Sequence, residues 1–359
     1  EGCTSLKSIV IPKLVTDDIS TVFRGCASLE SIVVAEDNPR YDSREGCNAI
    51  IETGSNTLLI GCSNSTIPYG ITSIGRYAFS SCYNLSTVTI PSSVISIGEY
   101  AFESCSNLSS IVIPSSVSSI ENGAFHYCGN LTSISVAEDN AYYDSRNSCN
   151  AIIETGSNTL IVGCANSSIP VGVTSIGNRA FYGCDELASI EIPESVTSIG
   201  DGAFYWCGNL STIVVPESVT FIGSSAFNGT KWYNSQPDGE IYMNDILCSY
   251  KGTMPANTSI VVREDTKSIS PSAFDYERNL VEITLPKSLT SIGENAFYYC
   301  SNLAELHIPS SVETIGNSAF SGCNKLNSVY TYTIEPTVIT ESSFSTFGTA
   351  KLYVPATSF

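Results

Sequence analysis

The pair Ala-Phe recurs along this chain at a fixed spacing, and that spacing constrains the fold more than any other feature. The pairs form three groups of three, and consecutive pairs within a group lie 23 residues apart. A period of this size is typical of coils that stack on one another, each contacting mainly its neighbours. The nine pairs are Ala78-Phe79, Ala101-Phe102, Ala124-Phe125, Ala180-Phe181, Ala203-Phe204, Ala226-Phe227, Ala273-Phe274, Ala296-Phe297 and Ala319-Phe320.

Residues 79–102 show how one coil is predicted to fold. Val88 and Ile90 alternate with threonines, which is strand spacing with the two aliphatic side chains pointing inward. Pro91 follows at once and marks a corner, because it has no N–H to continue a strand. The apolar spacing is that of a leucine-rich repeat. The predicted fold is therefore a leucine-rich-repeat solenoid of the α/β leucine-rich-repeat class, a β-rich parallel-sheet superhelix in which the Ala-Phe segment forms a short helical or 3-10 turn.

Small residues occupy two further slots of the coil. A glycine such as Gly98 lies four residues before most of the phenylalanines, but Glu121 and Ser270 occupy the same slot. A strict need for positive φ would make both costly, so close packing or mild strain is the expected reason for glycine. A serine lies two residues after the corner proline, where it either bonds turn backbone or simply suits a turn. These serines are Ser93, Ser116, Ser195, Ser218, Ser288 and Ser311.

Three insertions interrupt the period. We predict one solenoid over residues 1–359, with hairpin inserts near 35–66 and 137–168 and an irregular insert near 228–262. The two hairpin inserts are near copies at an offset of 102 residues, and Gly156-Ser157 suits a two-residue turn. The irregular insert is predicted to form a turn followed by extra strands. The chain begins inside a coil without an initiating Met, so we interpret it as a fragment of a longer protein.

Of the 14 cysteines, 13 fall into two kinds. Nine lie in one slot of successive coils, where parallel Cβ vectors disfavour disulfides, and are predicted to be small buried hydrophobic residues. These are Cys3, Cys26, Cys82, Cys105, Cys128, Cys184, Cys207, Cys300 and Cys323. Cys47 and Cys62, like Cys149 and Cys164, lie opposite each other in a predicted hairpin. A disulfide there is compatible with the sequence but not favoured, because the position is a widely spaced hydrogen-bonded pair.

Composition and motifs exclude several functions. The chain has 35 acidic and 16 basic residues and a net charge of -19, which argues against nucleic acid and anionic membranes but not against a basic protein partner. No run of about 20 apolar residues is present to span a bilayer. No Ser-His-Asp grouping, phosphate loop, Cys-x-x-Cys motif or Cys/His cluster occurs, so we predict no catalytic residue, metal site or cofactor. Residues 138–144 are interpreted as an acidic loop, with a calcium site as the less favoured alternative.

Two surfaces are candidates for ligand binding. One is the outward face of the strands, which becomes acidic and aromatic toward its C-terminal end at Glu282, Glu305, His307 and Tyr330. The other follows the phenylalanines along the edge of the solenoid. Its aromatic residues are His126, Tyr127, Tyr182, Tyr205, Trp206, Tyr298 and Tyr299. Clustered surface aromatics are typical of contacts with proteins and sugars. The alternatives are a solvent-tolerant sheet face for the first surface and lids on neighbouring turns for the second.

The repeat resembles a known family. The run from Leu108 to Val117, with Ala124-Phe125-x-x-Cys128-x-Asn130-Leu131, closely resembles the BspA-like leucine-rich repeat family, and the resemblance covers nearly the whole chain. The second hairpin insert also looks like those of Bacteroides-type members. This chain departs from the pattern at Thr230, Glu277 and Phe347, where cysteine is usual, so those coils are expected to stack less regularly.

The resemblance implies a function that the residues alone do not give. It implies a secreted or cell-surface protein, bacterial in origin, that adheres to host proteins or other cells without catalysis. Its partner would be an extracellular protein or a glycan. A structural spacer that projects another domain, and a glycan-binding module, remain as alternatives. The family supplies no residue-level binding motif to place on this chain.

Overall fold

The computed structural model describes residues 2–332, 343–344 and 351–353. Phe347, one of the predicted departures from the cysteine pattern, lies outside the described residues. The chain divides into two compact units that interleave in sequence. Unit 1 comprises Glu1–Val196, Ala203–Val214 and Phe227–Tyr233, and unit 2 comprises Thr197–Gly202, Val215–Ala226 and Asn234–Phe359.

Short strands dominate the described residues. They form 28 strands, one α-helix, α1 (Lys231–Ser235), and two 3-10 segments, Arg44–Gly46 and Arg146–Ser148. In chain order the strands are β1 (Ser8–Ile11), β2 (Ser31–Val34), β3 (Tyr41–Asp42), β4 (Ile50–Glu52), β5 (Thr57–Ile60), β6 (Ser73–Ile74), β7 (Ser96–Ile97), β8 (Ser110–Ile113), β9 (Ser119–Ile120), β10 (Ser133–Val136), β11 (Tyr143–Asp144), β12 (Ile152–Glu154), β13 (Thr159–Val162), β14 (Ser175–Ile176), β15 (Ser189–Glu191), β16 (Ser198–Ile199), β17 (Thr212–Val214), β18 (Phe221–Ile222), β19 (Gly239–Met243), β20 (Ile246–Lys251), β21 (Thr258–Val261), β22 (Ser268–Ile269), β23 (Leu280–Thr284), β24 (Ser291–Ile292), β25 (Glu305–Ile308), β26 (Thr314–Ile315), β27 (Ser328–Thr331) and β28 (Lys351–Tyr353).

Each unit is a leucine-rich-repeat solenoid, which confirms the predicted fold class. A regular coil contributes a longer strand and a two-residue strand, and both kinds pair in parallel with the adjacent coil. In unit 1, β8 pairs with β10, and β6 pairs with β7 and β7 with β9. In unit 2, β25 pairs with β27, and β22, β24 and β26 pair in the same way. Partners along these ladders lie one repeat apart, as Ser110 and Ser133 do.

The phenylalanines of the repeat form the centre of each unit. Phe102 is 0% exposed and lies between Phe79 and Phe125, at ring-centroid distances of 5.1 and 5.3 Å. Phe274 and Phe297 stack in unit 2 at 5.2 Å. These spacings match the distance of about 4.8 Å between neighbouring strands, since one coil adds one strand and one ring. Stacked buried rings therefore form ladders, from Phe79 to Phe125 and from Phe181 to Phe227 in unit 1, and from Phe274 to Phe320 in unit 2.

The Ala-Phe segment is a series of hydrogen-bonded turns, where the sequence suggested a short helical or 3-10 turn. Ala101 N–H bonds to Gly98 O at 3.1 Å, and Cys105 N–H bonds to Phe102 O at 3.2 Å. These are bonds of the 3-10 type, but Tyr100 and Ser104 have φ of 56° and 59°. Left-handed residues at these two points prevent the turns from joining into a helix.

The glycine and serine slots both serve contacts between coils. Gly98 has no positive φ, but a Cβ there would lie 2.8 Å from Arg76 N in the preceding coil, so close packing explains the glycine. Ser116 Oγ donates to Val94 O at 2.6 Å, and Ser311 Oγ donates to Leu289 O at 2.6 Å. The predicted backbone bond exists, but it links the serine to the preceding coil instead of to its own turn.

The hairpin inserts extend the sheets of two-residue strands with antiparallel strands. β3, β4 and β5 pair antiparallel before β5 joins β6 in parallel. β11, β12, β13 and β14 repeat this arrangement. The irregular insert instead begins with the helix α1, where the sequence suggested a turn, and Thr230 Oγ1 caps it by accepting from Tyr233 N–H at 3.0 Å. The antiparallel pair β19 and β20 follows.

All 14 cysteines lie among the described residues, and all are free thiols. In the ladder slot the thiol donates to the phenylalanine carbonyl of the preceding coil, as from Cys105 to Phe79 O at 3.2 Å. Burial raises the pKa of Cys128 to about 12. Of the two departures that are described, Thr230 is fully buried and bonds to Phe227 O at 2.7 Å, while Glu277 is half-buried and burial raises its pKa.

The two hairpin cysteine pairs are not joined. The register shifts between Ile50 and Ile51, so the strand positions beyond that point are no longer directly opposite. Cys47 packs in one hydrophobic cluster and Cys62 in another. In the second hairpin, Cys149 Sγ faces Ala151 O at 3.9 Å and Cys164 Sγ faces Asn150 O at 3.4 Å. This β-bulge cannot be recognised from the sequence. It moves the two cysteines of the hairpin out of directly opposite positions, so the geometry on which a disulfide depended is lost.

Alkylation under native oxidising conditions is expected to modify Cys3 quickly and the buried cysteines slowly. Cys3 is exposed, whereas Cys105 and Cys128 are buried with raised pKa values that keep their thiols neutral. Mass spectrometry with and without reduction measures this. After denaturation, all 14 thiols should react without a reductant. A mass deficit of two hydrogens on a peptide pair containing Cys47 and Cys62 would contradict the free-thiol structure.

Candidate functional site

Seven rings line one edge of unit 1, beside the phenylalanine stack. We call this set the aromatic ridge. It consists of Tyr77, Tyr100, His126, Tyr127, Tyr182, Tyr205 and Trp206. Five of the seven were candidates from the sequence, and the structure brings those five together.

The rings of the ridge form a continuous column across several coils. Tyr77 stacks on Tyr100 at 5.2 Å, and Tyr100 meets His126 edge-on at 5.8 Å. His126 then contacts Tyr182 at 5.0 Å, and Tyr182 stacks on Tyr205 at 5.1 Å. The step from His126 to Tyr182 spans the second hairpin insert in sequence. The column therefore continues where the repeat is interrupted.

The rings of the ridge differ in exposure. His126 is only 8% exposed, and Tyr182 and Tyr205 are half-buried, so these three pack against neighbouring turns. Tyr127 is 38% exposed and Trp206 is 55% exposed. Tyr127 and Trp206 are therefore the rings of the ridge that are most accessible to a ligand among those the sequence suggested.

The two exposed rings stand on backbone that does not favour large side chains. Tyr127 has φ of 56° and Trp206 has φ of 58°, in the left-handed region. The same slot in the next coil is glycine in both cases, at Gly183 and Gly229. A Cβ on Gly183 would lie 2.6 Å from the Tyr127 ring, so this glycine makes room for it. A Cβ on Gly229 would likewise lie 3.2 Å from Cα and 3.4 Å from Cγ of Trp206, so a glycine of the following coil makes room for each of these residues.

Cations and burial set the electrostatics of the ridge. The Arg24 guanidinium lies 4.0 Å from the Tyr77 ring centroid, and that of Arg179 lies 5.8 Å from the Tyr182 centroid. Burial, and then the charge of Arg179, lower the pKa of His126 to about 4, so its imidazole is neutral at pH 7. Burial and a 2.9 Å hydrogen bond to the Tyr182 hydroxyl raise the pKa of Tyr127. A third cation, Arg76, lies 4.9 Å from the Tyr77 centroid, so the ridge offers rings with three arginines beside them.

A second aromatic set lies on the outward strand face of unit 2. His307 stacks on Tyr330 at 4.5 Å, and Tyr330 stacks on Tyr353 at 4.5 Å. His307 Nε2 is 2.6 Å from Glu305 Oε1, and its Nδ1 is 2.8 Å from the Tyr332 hydroxyl. The structure therefore brings together Glu305, His307 and Tyr330, as the sequence suggested. Both neighbours fix the imidazole in one orientation.

The remaining candidates of unit 2 lie apart from this face or at its border. Glu282 accepts a hydrogen bond from Ser259 at 3.1 Å. Tyr298 and Tyr299 meet edge-on at 4.6 Å, and Tyr299 stacks on Tyr276 at 5.2 Å. These three tyrosines form a compact cluster of their own, in which Tyr276 and Tyr299 are exposed by 52% and 38%.

Five rings of these sets were not candidates from the sequence: Tyr77, Tyr100, Tyr276, Tyr332 and Tyr353. Tyr353 lies 23 residues after Tyr330, and the two face each other in the β27–β28 ladder. Tyr77 and Tyr100 are likewise one repeat apart, as are Tyr276 and Tyr299, so extending the period to every aromatic would have found all five except Tyr332. Tyr332 carries no such signal, because its contact with His307 depends on the path of the chain after β27.

The acidic loop of the second insert has structural partners. Asn140 is buried, and its Nδ2 donates to Pro114 O at 2.8 Å and to Val117 O at 2.9 Å. Asp144 pairs with Arg146 at 2.6 Å. Across the described part of the chain, no three His, Cys, Asp or Glu side chains are grouped to hold a metal ion. Asn140 and Asp144 are thus engaged within the protein, while Glu138 and Asp139 are exposed.

No helix in the described ranges has both the length and the apolar character needed to cross a bilayer.

The fold and its repeat define a leucine-rich repeat protein of solenoid architecture. The family model described as "BspA type Leucine rich repeat region (6 copies)" matches residues 1–44, 58–156, 161–239 and 249–358. The chain therefore belongs to the BspA-type leucine-rich repeat family, as the sequence resemblance indicated.

Solved structures of bacterial leucine-rich repeat proteins are similar to this chain. One is a leucine-rich cell surface protein from Faecalibacterium prausnitzii, with 24% identity, a TM-score of 0.39, and coverage of 97% of this chain and 79% of that chain. Another, from Eubacterium ventriosum, has 26% identity, a TM-score of 0.38, and coverage of 76% and 84%. A third, from Bacteroides ovatus, has 20% identity, a TM-score of 0.34, and coverage of 99% and 85%. No curated protein matches this chain.

Proposed function

We propose that this chain is a non-catalytic binding scaffold displayed outside a bacterial cell, which adheres to host proteins or to other cells through the aromatic ridge of unit 1. The observation that supports this proposal is the pair of exposed rings, Tyr127 and Trp206, in a slot where the other coils of unit 1 have serine or glycine. The repeat therefore does not require a ring at either position.

The arrangement of these two rings suits recognition of a protein surface. Trp and Tyr supply large contact area with little conformational entropy to lose, and they are enriched among residues that dominate binding energy. Because Tyr127 packs edge-on against Tyr182 at 4.7 Å and donates a hydrogen bond to its hydroxyl, binding would not have to order this ring. Membership of a leucine-rich repeat family agrees with a role in protein binding. The neutral rings and the flanking Arg24 and Arg179 favour a partner with apolar and hydrogen-bonding groups.

Replacing Tyr127 and Trp206 together with glycine is expected to lower affinity for a protein partner by at least about 30-fold, since a ring that dominates an interface contributes about 2 kcal/mol or more. The measurement is surface plasmon resonance of the purified chain against a panel of extracellular matrix proteins, with a glycan array in parallel. Stability should stay within about 0.5 kcal/mol, because glycine adopts positive φ without cost and the rings are exposed.

Tyr69→Ser is the matched control, because Tyr69 is 74% exposed and is not part of the ridge. This variant should bind the panel like the unaltered chain. A large loss of stability in the double glycine variant would instead make the two rings packing lids. Binding to glycans alone would indicate a glycan-binding module. Absence of binding to both the protein panel and the glycan array would favour a structural spacer.

A further inference from the structure

The second hairpin insert opens a cavity of ≈ 480 Å³ in unit 1, which borders the aromatic ridge at His126 and Tyr182 but is not lined by its exposed rings, Tyr127 and Trp206. It lies between the coil of Phe125 and the coil of Phe181, where β13 takes the place of a regular coil. Gly163 N–H donates to Ala180 O at 2.8 Å, and the Phe181 ring covers Gly163. Phe125 thus stacks on Phe102 on one side only, and its other side faces the cavity.

The cavity combines an apolar interior with two carboxylates. Phe125, Leu131 and Ile161 supply apolar lining, and Glu121 and Glu154 are exposed beside it. Among the described residues, no lysine or arginine forms an ion pair with either glutamate. Both glutamates line the cavity, and both also act on the Tyr143 hydroxyl, whose pKa is raised by burial and then by Glu154 and Glu121. The cavity is therefore lined by two negative charges that lie within range of the same hydroxyl.

The wall shared with the aromatic ridge carries an unused polar group. His126 is 8% exposed, and within the described structure no hydrogen bond to its ring nitrogens is found. Its imidazole is neutral at pH 7, so it adds a donor or acceptor and no positive charge. Arg179, the cation on this wall, is directed to the Tyr182 ring. The cavity keeps an excess of negative charge.

The first hairpin insert is a near copy whose equivalent residues neutralise one another. Glu52 corresponds to Glu154, and it pairs with Arg40 at 3.0 Å. Arg40 corresponds to Tyr142 in the second copy, which cannot neutralise a carboxylate. Ile19, buried at 7% exposure, corresponds to Glu121. The same local fold thus occurs once with apolar and paired side chains and once with two unpaired glutamates.

We propose that this cavity binds the lysine or arginine side chain of an extended basic segment in a partner protein. The aliphatic stem would lie against Phe125 and Ile161, and the cationic head would meet Glu121 and Glu154. The net charge of -19 favours approach of such a segment. The inference rests on the proposed function, because it supplies the chemistry of one part of the partner.

The test uses two eight-residue peptides on the full chain, one alternating lysine with serine and one with glutamine in place of lysine. Isothermal titration calorimetry at low salt should show that the lysine peptide binds at least tenfold more tightly. The double variant Glu121→Gln with Glu154→Gln should bind the lysine peptide at least tenfold more weakly. Glu36→Gln with Glu52→Gln, which changes the net charge equally in the first copy, should change affinity less than twofold.

Transplanting the first copy's side chains provides an independent test. Glu121→Ile with Tyr142→Arg should abolish peptide binding without loss of stability, because the introduced guanidinium would pair with Glu154 as Arg40 pairs with Glu52. Equal loss in both glutamine variants, or equal binding of both peptides, would overturn the proposal, as would displacement of the lysine peptide by a neutral oligosaccharide. Trp206→Gly should leave peptide binding intact. If the chain does not bind the lysine peptide but binds a protein in a manner that depends on Trp206, this inference is refuted and the proposed function is not. If the chain binds neither the peptide nor a protein, the proposed function is refuted as well.

Discussion

Replacing Phe102 with alanine is expected to lower the free energy of unfolding of unit 1 by about 3–5 kcal/mol, the range for removing a buried phenylalanine. Phe102 is 0% exposed and stacks on Phe79 and Phe125 at 5.1 and 5.3 Å. Its backbone is also fixed, because Phe102 N–H donates to Ala124 O at 2.7 Å. A coil held on both sides cannot collapse into the space that the ring leaves.

The repeat architecture makes this loss extend beyond one coil. Each coil is stabilised by its interfaces with its two neighbours, so the cavity weakens both the interface with Phe79 and the interface with Phe125. Urea unfolding followed by tryptophan fluorescence reports on unit 1, which contains Trp206 and Trp232, the 2 tryptophans of the chain. The midpoint should fall, and a broadened transition would show that coils on the two sides of residue 102 have become uncoupled.

Val112→Ala is the control for this experiment. Val112 lies in the same unit but is 59% exposed, so its truncation should change the free energy of unfolding by less than about 1 kcal/mol. A Phe102→Ala effect as small as that of Val112→Ala would mean that the rings do not support the stack. Phe102→Leu should lie between the two, because leucine fills part of the same volume.

The coil could be predicted from the sequence because its determinants are local and repeated. Val88, Ile90 and Pro91 specify a strand and a corner within a few residues, and the period then specifies which residues are neighbours. The same reasoning located the Tyr182–Tyr205 and His307–Tyr330 stacks, whose partners lie one repeat apart. A regular period converts position in the chain into position in the fold.

The features that the period does not predict depend on local backbone conformation or on contacts across an insert. The burial of His126 results from Tyr100 and from Tyr182, and the second of these lies beyond a hairpin insert. Tyr100 has a positive φ, which its residue type does not predict, and this conformation prevents the Ala-Phe segment from forming a helical turn. The cavity beside Phe125 exists because an inserted strand replaces a coil. The insertion is visible in the sequence, but the sequence does not show which face of Phe125 is left uncovered.

Gly163→Ala is expected to destabilise unit 1 although it adds only one methyl group. A Cβ at Gly163 would lie 2.1 Å from Cε1 and 2.4 Å from Cζ of Phe181, well inside contact distance. Phe181 is 0% exposed and stacks on Phe204 at 5.0 Å, so its ring has no free space into which to move. Forcing an extra carbon into such packing costs about 1–3 kcal/mol. That exceeds the gain of about 0.4–1 kcal/mol that alanine brings by restricting the unfolded chain.

Gly156→Ala separates this steric effect from the general effect of replacing glycine. No atom lies within 4 Å of a Cβ at Gly156, so this variant should be neutral or slightly stabilising in the same urea titration. Gly61→Ala tests the first insert, because a Cβ there would lie 2.2 Å from Phe79. It should lose as much stability as Gly163→Ala. Adding Phe181→Leu to Gly163→Ala should cost less than the sum of the single changes, because the smaller side chain relieves the overlap. Strict additivity would show that residue 163 is not in contact with the ring, and the strand that replaces a coil would then have to pack differently.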